Sequence, residues 1–232
     1  MKESKEPKYR HEYKYLLSYT ELCELRQSIE GLISIDPHVG KSGKYIVRSL
    51  YFDDYDNRCY YENEYGIDPR EKLRIRTYNY SDARISLECK RKERGKTLKT
   101  SCQLTKDEAV RLMHGQMLPG LETQKPVLRK LTLGMMQRMM RPVTIVEYER
   151  VPFVYEGGNV RITFDMNIVS SNEVTRFFDP CIQRRPVLPQ GYHLMEVKFD
   201  EYLPAFIYDA LELDGLERTA FSKYYLCRKY NL

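Results

Sequence analysis

The sequence contains no tryptophan, no Cys-x-x-Cys pair, no internal repeat and no low-complexity tract. Its six cysteines, at 23, 59, 89, 102, 181 and 227, have no regular spacing, which argues against a zinc centre or a disulfide framework and for reduced thiols in a cytosolic protein. No stretch approaches the roughly 18 apolar residues that a membrane span needs. Met1-Lys2-Glu3-Ser4-Lys5-Glu6 also lacks the apolar segment of a secretory signal. A soluble, cytoplasmic protein is expected, and with no interdomain linker in view residues 1–232 read as one domain.

What is present supports a core: 42% of the 232 residues are hydrophobic. The 38 Lys and Arg against 33 Asp and Glu leave +5, a mild excess whose placement matters more than its size. The twenty tyrosines suit strands and half-buried positions.

Residues 7–17 alternate, with Arg10, Glu12 and Lys14 on one face and Tyr9, Tyr13 and Tyr15 on the other, the period of a strand. From Ser18 the spacing of Leu22, Leu25, Ile29, Leu32 and Ile33 becomes helical, and Ser18 with Glu21 forms a capping box. Residues 44–53 read as a strand and 56–64 as a short polar helix or loop. Residues 71–78, 84–92 and 97–104 read as consecutive hairpins. A second capping box, Thr105 to Glu108, opens a helix to about His114, and 127–138 reads as another. The methionines at 135, 136, 139 and 140 are read as packing residues. A third hairpin joins 143–155 to 159–169, a strand covers 193–199, and helices after Pro204 and over 221–230 close the chain.

Strand after strand carries charge on one face and apolar side chains on the other: Lys72, Arg74 and Arg76 against Leu73 and Ile75; Glu88, Lys90 and Lys92 against Leu87 and Cys89; then Arg161, Thr163 and Asp165, and Glu196 and Lys198. Solvated charged faces would leave an ordinary sandwich core. The alternative places them inside an antiparallel eight-stranded β-barrel of α+β class, with the flanking helices covering the apolar outer faces. Such a bore requires anions, because unpaired buried charge costs several kcal/mol in order of magnitude. Interior acids, Glu88, Glu147, Asp165 and Glu196, would neutralise part of it, and a few could hold a divalent cation. His11, His38, His114 and His193 show no ligand spacing.

The ordered set Arg10-His11-Glu12-Tyr13-Lys14, Arg48-Ser49-Leu50-Tyr51-Phe52-Asp53, Leu73-Arg74-Ile75-Arg76, Leu87-Glu88-Cys89-Lys90, Tyr148-Glu149-Arg150, Val160-Arg161-Ile162-Thr163-Phe164-Asp165, Met195-Glu196-Val197-Lys198 and Ser222-Lys223-Tyr224 resembles the catalytic domain of the vacuolar transporter chaperone (VTC) polyphosphate polymerases, within the triphosphate tunnel metalloenzymes. The resemblance runs from about residue 7 to residue 230. It implies a tunnel of eight antiparallel strands in which the γ-phosphate of ATP passes to a growing polyphosphate chain with Mn2+ or Mg2+. Carried over by motif, Arg74, Arg76, Lys90, Lys99, Arg150, Arg161 and Lys223 are the catalytic cations. Lys14, Arg10, Tyr148, Ser222 and Lys198 bind substrate, and Glu196 holds the metal; Glu88 and Asp165 are weaker metal candidates.

The hydrolytic branch of that superfamily starts with Glu-x-Glu-x-Lys, whereas Arg10 stands at the first glutamate position here, a departure that fits the polymerase branch. Eukaryotic members add a regulatory domain and membrane spans, so this chain is expected to stand alone. ATP and inorganic polyphosphate are the expected partners, with no specific nucleic acid. Two other functions remain open: a tunnel hydrolase of inorganic, nucleoside or RNA 5′-triphosphates, and a binding module that holds a polyanion without turnover.

Overall fold

The computed structural model describes residues 8–40 and 42–229. The elements run β1 (His11–Ser18), α1 (Tyr19–Ile29), β2 (Ser34–Ile35), β3 (Tyr45–Asp53), α2 (Arg58–Glu64), β4 (Arg70–Tyr78), β5 (Ser81–Glu93) and β6 (Lys96–Leu104), then α3 (Lys106–Met113), α4 (Pro126–Arg138), β7 (Arg141–Tyr155), β8 (Val160–Ser171), β9 (Arg185–Pro186), β10 (Tyr192–Phe199), α5 (Ala205–Ala210) and α6 (Lys223–Lys229). Eight antiparallel strands follow the order β1-β10-β8-β7-β3-β4-β5-β6 in one curled sheet, and the two-residue β2 and β9 pair with β7 and β8.

The expected barrel closes at one point. The edge strands β1 and β6 meet where Arg10 and Thr97 exchange backbone hydrogen bonds of 3.0 and 2.9 Å. Farther along this seam β1 instead meets the tail of the chain: Tyr15 bridges to Arg218, and Thr219 N donates to Lys14 O at 2.9 Å. The tail runs beside β1 here and carries Ser222 and Lys223 to the concavity.

Alternation puts the apolar faces outward, where helices cover them. Ile75 and Leu87, paired directly across β4 and β5, are both fully buried in the cluster under α3 and α4; burying such a side chain stabilises by about 1.5–3 kcal/mol. Tyr15, Leu17, Phe153, Phe164 and Val197 form a second outer cluster under α1 and α5. A third cluster is internal: Val47, Tyr51, Val146, Tyr148 and Leu194 meet Cys59 and Tyr60 of α2 and Tyr224 and Cys227 of α6, plugging part of the concave face.

Both predicted capping boxes form, at Ser18 with Glu21 and Thr105 with Glu108. Several expectations shift. The first strand runs to Ser18, and its predicted start at residue 7 lies outside the described residues, as does Tyr230. α1 stops at Ile29 before Gly31, whose φ of 90° no helix accommodates, so Leu32 is exposed while Ile33 is buried. β5 starts at Ser81 because Asn79 and Tyr80, at φ 50° and 60°, suffice for the turn. Met135 and Met140 pack in the core, whereas Met136 and Met139 are exposed. Glu147 is not an acid of the bore: it faces outward, where it pairs with the fully buried Arg48 at 2.6 Å and with Arg184 at 2.7 Å. Its neighbours Val146 and Tyr148 hold the inward parity of β7.

Candidate functional site: a cation-lined cavity

The concave face encloses a cavity of about 140 Å³, room for about ten waters. Its lining holds ten Lys and Arg side chains but only two carboxylates, Glu12 and Glu196. β1, β4, β5, β7 and β10 contribute inward positions at a spacing of two residues, so one period of the sequence produces most of the wall, and Asn63 of α2 and the segment from Thr219 to Tyr224 add to it.

Three groups of charge organise it. On β4 and β5, Arg74 and Glu88 are direct cross-strand partners. The Arg74 fork donates to Glu88 through Nε at 2.9 Å and Nη2 at 2.8 Å, and its Nη1 donates to the Tyr51 hydroxyl at 2.7 Å. Arg76 lies 3.8 Å from Glu88 and donates to Ser49 Oγ at 3.1 Å and the Tyr148 hydroxyl at 3.3 Å. Burial alone would raise the Glu88 carboxyl, but Arg76, Arg74 and Lys99 outweigh it and hold it below the carboxylate range.

On the opposite wall Arg150 donates bidentately to its cross-strand partner Asp165, at 2.6 and 2.7 Å, and reaches Glu196 at 3.4 Å. Lys223 bridges Asp165 and Glu196 at 2.6 Å to each. Burial lowers the Lys223 ammonium, yet the two carboxylates more than reverse this and leave it above the usual lysine range. Lys198 completes the ring around Glu196 at 2.5 Å, with Lys14 at 3.9 Å. Burial raises the Glu196 carboxyl, and the surrounding Lys198, Lys223, Lys14 and Arg150 overcome it, holding the group well below its ordinary value.

The third group spans β1 and β5. Lys90 donates to both Glu12 oxygens at 2.8 and 2.7 Å, and Lys14 lies 3.3 Å from Glu12 while donating to Phe221 O at 2.7 Å. Desolvation outweighs Glu12 at Lys90, and with Lys14 and Lys198 nearby its ammonium is lowered to about 7.

Lys14, Arg74, Arg76, Lys90, Tyr148, Arg150, Glu196, Lys198, Ser222 and Lys223 all line this cavity. Glu88 and Asp165, the weaker metal candidates, lie behind the lining as partners of its cations, and three sequence-predicted cations are also off it. Arg10 sits at the seam and pairs with Asp200 at 2.7 Å. Arg161 is caught by Asp36 at 2.9 Å and by the Tyr45 hydroxyl at 3.1 Å. Lys99 is half exposed on the edge strand β6, where the wall opens, and touches Glu88 at 3.3 Å. Sequence reasoning left out Tyr51, Asn63 and Arg70 as site residues, and took Glu12, Lys72 and Lys92 only as members of a charged face; all six line the cavity. Glu12 and Arg70 share the parity of their strands and were findable, whereas Asn63 comes from α2 and only docking brings it here.

Among the described residues no group of three or more His, Cys, Asp and Glu could hold a metal ion. The two carboxylates on the cavity lining, Glu12 and Glu196, are each engaged by lysines, so a divalent cation bound there would share them with these ammonium groups and take its remaining ligands from substrate phosphates.

No curated protein matches the chain. A candidate adenylate cyclase from Bacillus halodurans shares the fold with a TM-score of 0.52 at 17% identity, covering 90% of this chain and 88% of that one. A candidate adenylyl cyclase from Hippeastrum, described as revealing a dominant triphosphatase activity, reaches 0.57 at 13% identity, covering 96% and 97%. The VTC domain model matches residues 9–231. With that match over nearly its whole length and a cation-lined bore built by the curled sheet, the chain belongs to the VTC domain family and has the triphosphate-tunnel fold.

Proposed function

We propose that the protein is a polyphosphate polymerase that transfers the γ-phosphate of ATP to the end of an inorganic polyphosphate chain inside this cavity. The observation that carries the reading is a narrow bore whose lining holds ten Lys and Arg side chains, paired among the described residues with only four carboxylates, Glu12, Glu88, Asp165 and Glu196, a wall complete only with several phosphates inside it. A terminal oxygen of the acceptor chain forms the new bond to the γ-phosphorus as the bond to ADP breaks, so no protein nucleophile is required.

The paired acids aim the cations. Glu88 fixes Arg74 and Asp165 fixes Arg150, while the donors these forks have to spare face the bore, where they clamp nonbridging oxygens. Lys90, Lys198 and Lys223 act as point charges on the transferred group, whose spreading negative charge they stabilise. Glu196, with Glu12, would hold Mg2+ or Mn2+, which supplies charge neutralisation of the phosphate oxygens. Lys99 acts on the bore through Glu88.

The test is incubation of the pure protein with ATP and Mn2+, with and without a short polyphosphate primer, followed by a gel stained for polyphosphate, with Arg74→Ala in parallel. A ladder lost in the variant supports the polymerase. Phosphate released without a ladder supports hydrolysis instead, the reading favoured by the triphosphatase activity described for the Hippeastrum neighbour. Neither product, with triphosphate still bound, identifies a binding module.

A further inference from the structure

The inward side chains of β4 are, in order, Arg76, Arg74, Lys72 and Arg70, all on the cavity wall. At about 6.6–6.8 Å per two residues, this row spans about 20 Å, longer than one triphosphate group. Its two halves differ in how they are neutralised. Arg74 and Arg76 share Glu88. Among the described residues, Lys72, Arg70 and the neighbouring Lys92 have no carboxylate within ion-pair distance.

Lys72 Nζ donates to two neutral acceptors, Asn63 Oδ1 at 2.7 Å and Ser222 Oγ at 2.9 Å, and lies 5.1 Å from the Tyr224 ring centroid. Arg70 donates to a backbone carbonyl, Ile67 O, at 2.8 Å. Arg70 and Lys92 are direct cross-strand partners, as are Lys72 and Lys90. Like charges placed directly opposite each other destabilise a sheet, and here they recur on two rungs of one face, with Lys90 alone of the four paired to a carboxylate, Glu12. Desolvation, reinforced by Lys14, Arg70 and Lys90, pushes the Lys72 ammonium well below the usual lysine range. Burial with Arg70 and Lys14 also lowers Lys92, against the weaker opposing pull of Glu12 and Asp68. An anion between these side chains would remove the repulsion and complete their hydrogen bonding.

We propose that Arg70, Lys72 and Lys92, with Asn63 and Ser222 orienting Lys72, form a second anion subsite that holds a segment of linear inorganic polyphosphate beside the triphosphate gripped by Arg74 and Arg76. The subsite rests on the polymerase reading: a transferase must hold donor and acceptor phosphates at once, whereas a triphosphatase needs only the first set.

The experiment is calorimetric binding without turnover, using the full chain in the absence of divalent metal. Inorganic triphosphate and a long linear polyphosphate are titrated into the wild type, a Lys72→Met/Lys92→Met double variant and Arg74→Ala. The double variant is expected to lose about tenfold or more in affinity for the long chain, with a shallower salt dependence, while triphosphate affinity changes by much less. Arg74→Ala should weaken both ligands. Equal losses for both ligands in the double variant, or no loss for either, overturn the subsite. Ligand-free melting should hold or rise in the double variant because repulsion is relieved; a clear fall would make these lysines structural and also overturn it. The comparison does not depend on catalysis, so failure to synthesise polymer counts against the polymerase reading separately.

Discussion

Glu88 illustrates how single residues work in this wall. Its carboxylate is almost fully buried and touches Arg74, Arg76 and Lys99, so Glu88→Gln keeps the shape and removes the charge that makes those cations tolerable. Breaking a buried pair in this way costs about 3–5 kcal/mol; urea unfolding of the ligand-free variant should show a loss of that order, and added triphosphate should shrink it. An unchanged midpoint would mean the arginines need no internal counter-ion. The carboxyls of Glu12, Glu88 and Glu196 are all held below their unfolded values. Their stabilisation is therefore complete above the unfolded carboxyl range near ~4.3 and declines as pH falls below it toward the depressed folded values. Urea midpoints taken from pH 7 to pH 3 should fall along that course, and less steeply in Glu88→Gln.

At the scale of elements, Asp53 ties the plug of the cavity together. Asn57, the residue before α2, makes no side-chain cap. Asp53 serves instead, accepting from Cys59 N at 2.9 Å and Tyr60 N at 3.2 Å, and the Tyr224 hydroxyl of α6 also donates to it. One buried carboxylate thus fixes the helix that presents Asn63 and the helix that begins at Lys223. Asp53→Ala should speed amide hydrogen exchange in α2 and α6 while leaving β7 and β8 protected, and should reduce triphosphate affinity. Uniform loss of protection would show instead that the plug and the sheet unfold as one unit. This cap was not legible in the sequence because its acceptor precedes the helix by several residues, beyond the reach of a capping-box pattern. Ser18 with Glu21 and Thr105 with Glu108 were legible because cap and acceptor lie within one turn.

Across the whole molecule the excess of cations on the bore links ligand, salt and protons. Triphosphate should raise the melting temperature, and the rise should diminish with added salt as ions screen the wall. Lys72, Lys90, Lys92 and Lys198 all sit below the usual lysine range, Lys90 at about 7. A lysine lowered on folding binds fewer protons than the unfolded chain between its folded and unfolded values. It destabilises fully below the folded value and is relieved as pH rises toward the unfolded one. An anion placed beside these groups raises them again. Triphosphate binding at pH 8 should accordingly take up protons, read as a dependence of the calorimetric heat on buffer ionisation enthalpy. No such dependence would show that these lysines are already fully protonated in the empty cavity.

The period-two alternation of charge and apolar residues determined by itself that the strands had two unlike faces, and the turn residues between them set a meander. Ile75 and Leu87 on one side and Arg74 and Glu88 on the other were fixed by that parity, because neighbouring side chains on a strand must point to opposite faces. Which face closed on itself was a tertiary decision, made by the helices that cover the outer clusters. Tertiary packing also decided that Glu147 would neutralise Arg48 outside the bore, that Asp36 would capture Arg161, and that the tail would pair with β1 at Arg218 and Thr219 and bring Lys223 to the bore. These pairs join residues far apart in sequence, and no local period constrains them: their positions follow from the curvature of the sheet, which brings opposite charges together.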